Sequence, residues 1–193
     1  MIRAIFPLPV FILPQGYTRL RIFETRYLDM VKDSFKTDSS FVLCHYDQDA
    51  YLNIPEHGCL VKIVDFDKDE SGQLLIDIVA QSLVKLTNVM QDKNQLRYGE
   101  ANTVKLPQWL YQPQQVSAKD DYLKASLEHV FNQDTDISGL YKKTDFDNLS
   151  WVTARWLELL PISHDKKQQL AFSSSFANIQ NFLHTVINNE LTE

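Results

Sequence analysis

The sequence predicts an α+β protein, with a β-rich N-terminal part that contains one inserted helix and a C-terminal bundle of helices. Two observations predict this class. Up to residue 113, apolar residues alternate or run together in short segments, as they do in strands. After that point they recur at intervals of three and four, as they do in amphipathic helices. We therefore predict a β-rich subdomain over residues 1–113 and a helical subdomain over residues 114–193.

The strand predictions rest first on two segments that a charged loop separates. Residues 59–66 and 73–80 are rich in β-branched and aliphatic side chains, which favour strands. The loop between them, residues 67–72, is charged and ends in glycine, as hairpin turns often do. We expect the two segments to pair as a hairpin, and residues 41–46 and 99–106 to form further strands.

One helix is predicted among the strands, and four more are predicted after residue 113. Over residues 23–35, apolar side chains at helical spacing form one stripe. The stripe consists of Phe23, Tyr27, Met30, Val31 and Phe35. Later in the chain, a residue with a short polar side chain precedes each helical pattern and can cap it. These candidate caps are Ser117, Asp147, Ser163 and the segment Ser173–Ser175.

Composition and charge exclude several classes of protein. The net charge is −6 and the pI is near 5.3, so the surface as a whole repels phosphate backbones. The N-terminal apolar run is broken by prolines, and no apolar stretch approaches the roughly 20 residues of a spanning helix. We therefore expect a cytoplasmic protein without a signal peptide, a membrane span or general affinity for nucleic acid.

The spacing of the residues argues against catalytic and cofactor motifs. The five glycines are too scattered for a phosphate-binding loop or a dinucleotide-binding turn. The run Ser163–Lys166 contains Ser, His, Asp and Lys, but Ser163 follows Pro161 and is better placed to cap a helix. We expect no catalytic residues and no cofactor.

Four residues raise the question of a zinc site. Cys44, His45, His57 and Cys59 include the right ligand types, but adjacent strand residues such as Cys44 and His45 point to opposite faces. We therefore expect a buried cysteine on each strand and no metal.

Trp109, Leu110 and Tyr111 form an apolar segment between the two halves, beside polar glutamines. Two interpretations stay open. The segment is packed as a hinge between the halves, which we favour, or it is an exposed apolar contact for a partner. These three residues are the candidate binding residues.

The segment FPLPVFILPQGYTRLRIFETRYLDM, residues 6–30, resembles the opening of the Lon protease N-terminal domain family. That family begins with Phe-Pro-Leu, continues with an apolar strand ending in Pro and Gly, and then has Leu-x-Ile-Phe-Glu-x-Arg-Tyr. The residues that match this last motif are Leu20, Ile22, Phe23, Glu24, Arg26 and Tyr27. We expect them to be structural. One departure is that residues 80–84 lack the Gly and Arg-Phe that the family tends to show there.

The resemblance implies a PUA-like sheet that closes toward a barrel, followed by a helical bundle. It also implies a non-catalytic module that binds unfolded protein or peptide, or that assembles with a full-length Lon or another protease. Because the sequence ends at Glu193, we expect neither the ATPase nor the peptidase domain. PUA-type RNA binding is the alternative, against which the net charge argues. A small hydrolase is a third hypothesis, and the oligomeric state stays open.

Overall fold

The computed structural model describes residues 1–190 and places them in two compact units. The first unit is Met1–Val104, and the second begins at Lys105. The first contains a mixed sheet with one helix, and the second contains helices. The predicted α+β class is therefore confirmed, while an independent domain boundary at residue 113 stays a prediction.

Six strands and one helix build the first unit. They are β1 (Ile2–Pro7), β2 (Tyr17–Ile22), α1 (Thr25–Ser34), β3 (Ser40–Cys44), β4 (His57–Lys68), β5 (Leu74–Gln91) and β6 (Arg97–Thr103). The strand order is β2-β5-β4-β3-β1-β6, and β6 also pairs with β5. This last pairing closes a ring of five strands, with β2 attached outside it, so the sheet closes toward a barrel as predicted.

The closure depends on the length of β5. Residues 74–79 of this strand pair with β2, and its later part, from Val84 to Gln91, pairs with β6. On its other side β5 pairs with β4 from His57 to Lys68, as the predicted hairpin requires. Because one strand takes two successive partners on the same side, the sheet bends round and closes through β6.

The helix α1 contributes to the larger apolar core of this unit. Tyr27, Met30 and Val31 are buried there, as the predicted stripe requires. The prediction is wrong for Phe23 and Phe35, which are exposed. Phe23 precedes the first helical turn and Phe35 follows the last, so neither lies on the face that α1 turns toward the core.

Over the residues that the structure describes, the second unit contains five α-helices after a short 3-10 turn. They are α2 (Asp121–Gln133), α3 (Thr135–Leu140), α4 (Leu149–Leu159), α5 (His164–Ala171) and α6 (Phe176–Glu190). Every residue from Leu149 to Leu157 is buried, so α4 is the central helix of this unit. None of the described helices has both the length and the apolar character needed to cross a membrane.

The helix caps differ partly from the predicted ones. The Ser163 hydroxyl accepts a hydrogen bond from the Lys166 amide, which confirms the cap of α5. The cap of α4 is Asn148, which accepts from the Ser150 amide, and not the neighbouring Asp147. Ser117 does not cap α2, because its hydroxyl donates to the Asp120 carboxylate instead.

Candidate functional site

The predicted binding residues lie in a short 3-10 turn, Gln108–Leu110, near the start of the second unit. Trp109 and Leu110 are buried, and Tyr111 is half-buried. The Trp109 ring stacks on Phe176, with the ring centroids 5.4 Å apart. Little of Trp109 or Leu110 is therefore accessible to a partner, and a binding role for the segment stays a prediction.

The motif residues that carry the family resemblance divide into buried and exposed positions. Leu20, Ile22 and Tyr27 are buried in the core of the first unit, and the Tyr27 ring stacks on Phe6 at a centroid distance of 3.9 Å. Burial raises the pKa of Tyr27, and the nearby positive charge of Arg26 opposes the rise. These contacts fit the structural role expected for the buried members of the motif.

Two charged motif residues hold the start of α1. The Arg26 guanidinium forms an ion pair with Glu24 at 2.5 Å, and it lies 4.9 Å from the centroid of the Tyr27 ring. Arg26 is thus fixed between a carboxylate and the face of an aromatic ring, where its charge is stabilised by both. Glu24 occupies the N-cap position of α1, although its side chain accepts no capping hydrogen bond.

Four exposed apolar side chains lie along α1 and the neighbouring end of β4. Their exposed fractions are 65% for Phe23, 38% for Leu28, 47% for Phe35 and 65% for Phe66. Phe23 and Leu28 occupy the N′ and N4 positions of α1, which are neighbours in a hydrophobic staple. Leu28 and Phe35 are seven residues apart and share a helix face. We call these four residues the α1–β4 surface.

The link between the helix and the strand is a direct contact of aromatic rings. The centroids of Phe35 and Phe66 are 6.0 Å apart, and the rings meet edge to face. Phe66 is paired with Ile76 of β5, and side chains of directly opposed residues lie on the same face of a sheet. Because Ile76 is fully buried, Phe66 lies on the core side of the sheet, at the end where the core stops.

Within the α1–β4 surface, Phe35 and Phe66 are in direct contact, and Leu28 lies about two helical turns from Phe35 along α1. Single exposed apolar residues are normal on a protein surface, but a contiguous group marks an interaction site. Full burial of a phenylalanine side chain is worth about 1.5–3 kcal/mol, and these rings, 47–65% exposed, realise only part of it. The sequence does not reveal this surface, because Phe23 and Phe35 fit the spacing of the apolar stripe and Phe66 lies in an ordinary strand pattern.

A polar pocket of about 150 Å³ lies on another side of α1, next to the turn between β5 and β6. Arg26, Asp29 and Asp33 line it from the helix, Asp92 lines it from the turn and Tyr98 lines it from β6. Burial raises the pKa of Tyr98, and the carboxylates of Asp92 and Asp33 add to the rise.

The cysteines and histidines considered for zinc are not assembled into a site. Cys44 and Cys59 are free and buried, and burial raises the pKa of the Cys44 thiol to about 12. Within residues 1–190, no group of three or more His, Cys, Asp or Glu side chains is arranged to hold a metal ion.

The second unit contains a polar network that the sequence analysis missed. Asp120 is buried and accepts hydrogen bonds from the Ser117 hydroxyl at 2.5 Å and from His184 Nε2 at 3.0 Å. The other ring nitrogen of His184 is hydrogen-bonded to the Tyr122 hydroxyl. The network joins the start of α2 to α6, and both imidazole nitrogens are engaged. It therefore serves helix packing, and no sequence signal links residues so far apart.

Comparisons with known proteins agree with the fold. Residues 3–176 match the family model described as the ATP-dependent protease La (LON) substrate-binding domain. A Lon N-terminal domain protein from Xanthomonas campestris, known from its crystal structure, is similar over 96% of this chain and 98% of its own, with 25% identity and a TM-score of 0.72.

A second solved structure shows the same fold at lower identity. It is the N-terminal domain of the Lon protease from the Mycobacterium avium complex, with 12% identity and a TM-score of 0.61. The similarity covers 95% of this chain and 96% of that one. A search of curated proteins found no significant match.

Proposed function

Since the chain belongs to the family of ATP-dependent protease La (LON) substrate-binding domains, we propose that it binds unfolded protein or peptide segments through the α1–β4 surface. Membership of this family makes the chain a substrate-binding module, and such a domain is by itself non-catalytic. The choice of unfolded segments as the ligand, and of this surface as the contact, is our proposal.

The observation that supports the proposal is the contact between two exposed phenylalanines, Phe35 and Phe66, with exposed Phe23 and Leu28 toward the other end of α1. Unfolded chains expose apolar side chains that folded proteins bury, and such side chains gain free energy when they leave water. Aromatic residues are enriched among those that dominate binding energies, because each buries a large area with few rotatable bonds. Phe35 and Phe66 contact each other edge to face, which presents two rings side by side.

The surface suits segments of varied sequence. Its contacts are apolar and carry no fixed pattern of hydrogen-bond donors, so the affinity depends on buried area more than on the identity of each side chain. The charged residues beside it are partly satisfied within the chain, as in the ion pair of 2.6 Å between Lys36 and Asp33. We therefore expect weak, broad selectivity for exposed apolar segments.

The test is suppression of aggregation together with retention of a peptide. Wild-type protein is added to a denatured client while light scattering is followed, and its affinity for a labelled apolar peptide is measured. The double variant Phe35→Ser/Phe66→Ser should bind the peptide at least about tenfold more weakly, since truncating central aromatic residues commonly costs 2 kcal/mol or more. It should also lose the effect on scattering.

A matched control removes exposed apolar groups elsewhere in the same unit. Tyr51 and Met90 are both exposed and lie outside the α1–β4 surface. The variant Tyr51→Ser/Met90→Ser should behave as the wild type does. If wild-type protein neither slows aggregation nor retains the peptide, the proposal is wrong. If both double variants bind equally well, another surface makes the contact.

The proposal also includes a partner protease, since the family domain is named for its place in ATP-dependent protease La (LON). Affinity capture with the intact chain, from a lysate of its source, separates the possible partners. Recovery of full-length Lon supports a role in assembly, and recovery of aggregation-prone proteins supports client binding. Recovery of RNA that is lost at higher salt would favour the PUA-type alternative. The cytoplasmic location stays a prediction.

A further inference from the structure

The end of β4 next to the α1–β4 surface is an open strand edge. β3 pairs with β4 no further than Lys62, whose partner is Ser40. Among the residues that the structure describes, no strand pairs with Phe66–Lys68 on the side away from β5. These residues are exposed. Open edges of this kind accept strands from other chains, both in peptide recognition and in aggregation.

Two aspartate side chains accept hydrogen bonds from the backbone amides of this edge. The Phe66 amide donates to Asp65 Oδ1 at 2.9 Å, and the Lys68 amide donates to Asp67 Oδ1 at 2.7 Å. Amides two residues apart in an antiparallel strand point to the same side. The Asp69 amide donates to the Gln73 carbonyl on the β5 side, and successive amides of a strand alternate, so the Phe66 and Lys68 amides face away from β5. An added strand would need both donors.

We propose that Asp65 and Asp67 cap the open edge of β4 and keep it from accepting an added strand. Where it concerns a partner, the inference rests on the proposed function. With the edge capped, an unfolded segment can contact Phe66 and Phe35 only through its side chains. The two aspartates thereby favour side-chain docking over strand addition as the mode of binding. An unfolded segment docks its apolar side chains on the rings and does not extend the sheet at β4.

The position of the caps also explains why an exposed aromatic edge is tolerated. An exposed strand with Phe66 at its edge and unsatisfied amides would pair readily with a second copy of itself. Each carboxylate removes one donor from this pairing and places a negative charge beside it. Capping and charge are separable, because an asparagine keeps the Oδ1 acceptor and removes the charge.

The experiment compares Asp65→Ala/Asp67→Ala with Asp65→Asn/Asp67→Asn, and uses Glu70→Ala as a control. Glu70 is exposed in the adjoining turn, so its loss removes a nearby charge without removing a cap. Residue-resolved amide exchange is measured at Phe66 and Lys68, and the oligomeric state is measured by sedimentation over a range of concentrations. These measurements need no client.

In the double alanine variant, the amide hydrogens of Phe66 and Lys68 should exchange about tenfold faster than in the wild type. This is the factor expected from losing one hydrogen bond of ordinary net strength at each amide. It should also associate more strongly with rising concentration than the wild type does. The asparagine pair and Glu70→Ala should keep the wild-type oligomeric state, and the asparagine pair should keep most of the protection of the amides.

Two results would overturn the inference. One is equal exchange of the Phe66 and Lys68 amides in the wild type and the alanine pair. The other is association of the asparagine pair to the same extent as the alanine pair, which would assign the effect to charge. If the alanine pair does not fold, Asp67→Ala and the exchange of the Lys68 amide decide the question. Loss of client binding by the wild type would refute the proposed function and leave these results standing.

Discussion

A buried ion pair in α4 offers a quantitative test of the second unit. The Arg155 guanidinium binds the Glu158 carboxylate through two hydrogen bonds of 2.7 Å, from Nε to Oε2 and from Nη2 to Oε1. The side chains are 1% and 10% exposed. The pair is therefore shielded from water, and removing either partner leaves the other charge buried without its main counter-charge.

The expected cost follows from that burial. Breaking a buried ion pair on one side costs about 3–5 kcal/mol, whereas replacing both partners with apolar residues is often neutral or stabilising. We expect Arg155→Met and Glu158→Leu each to lose about 3–5 kcal/mol of unfolding free energy. We expect the double variant to lie within about 1 kcal/mol of the wild type. For a chain of this length, each single change corresponds to a fall in Tm of roughly 6–20 °C.

Tryptophan fluorescence during urea denaturation is the suitable measurement. The three tryptophans of the chain, Trp109, Trp151 and Trp156, all belong to the second unit, so the signal reports that unit alone. The Arg155 guanidinium lies 5.4 Å from the Trp151 ring centroid, so the native spectrum of each variant is needed as its own baseline. A cost below about 1 kcal/mol for Arg155→Met, or a double variant as unstable as the sum of the singles, would refute the reasoning.

Three further predictions concern packing, capping and thiol chemistry. Gly58→Ala should destabilise the first unit by about 1–3 kcal/mol, because a Cβ there would lie 2.7 Å from Val42; far-UV circular dichroism during urea denaturation measures this. Gly139→Ala in α3 meets nothing within 4 Å and should stabilise the second unit by about 0.5–1 kcal/mol in the tryptophan-fluorescence titration. Asn148→Ala should cost about 1 kcal/mol through loss of the α4 cap, with Asn148→Asp as the control that keeps an acceptor. Burial raises the pKa of Cys44 to about 12 from an ordinary 9.0, so the folded thiol stays protonated at pH 9 and should be alkylated only after unfolding. Rapid alkylation of Cys44 in native protein would contradict this. Because the unfolded thiol ionises near pH 9, the free energy of unfolding should fall as the pH rises from 9 toward 12.

The local patterns of the sequence predicted the elements well where the pairing is between neighbours in the chain. The hairpin of residues 59–66 and 73–80 became β4 and β5 because a short charged loop joins two strand-forming segments. The continuation of β5 to Gln91 was not predicted. Its later half is stabilised by β6 and its earlier half by β2, and a change of partner midway along a strand leaves no local signal.

The candidate site was less predictable, because exposure depends on where elements end. Phe23 and Phe35 fit the helical spacing of the buried stripe, but the helix begins after one and ends before the other. Trp109 was singled out as an apolar residue in a polar context, and its burial arises from stacking on Phe176, far along the chain. The exposure of Phe66 could not be predicted from local sequence, because the point at which the core ends along β4 depends on the assembled sheet.

One segment of the chain therefore serves both the fold and the proposed binding surface. Leu20 and Ile22 anchor β2 in the core, and Tyr27 stacks on Phe6, so these residues fix both ends of the connection into α1. Phe23 lies between those anchors and is 65% exposed, so the same backbone that completes the core leaves most of its ring in solvent. A segment that resembles a substrate-binding family through its buried residues thus also positions an exposed apolar group. A motif whose residues are mainly structural can therefore be associated with a binding function even though it supplies only one of the proposed binding residues, Phe23.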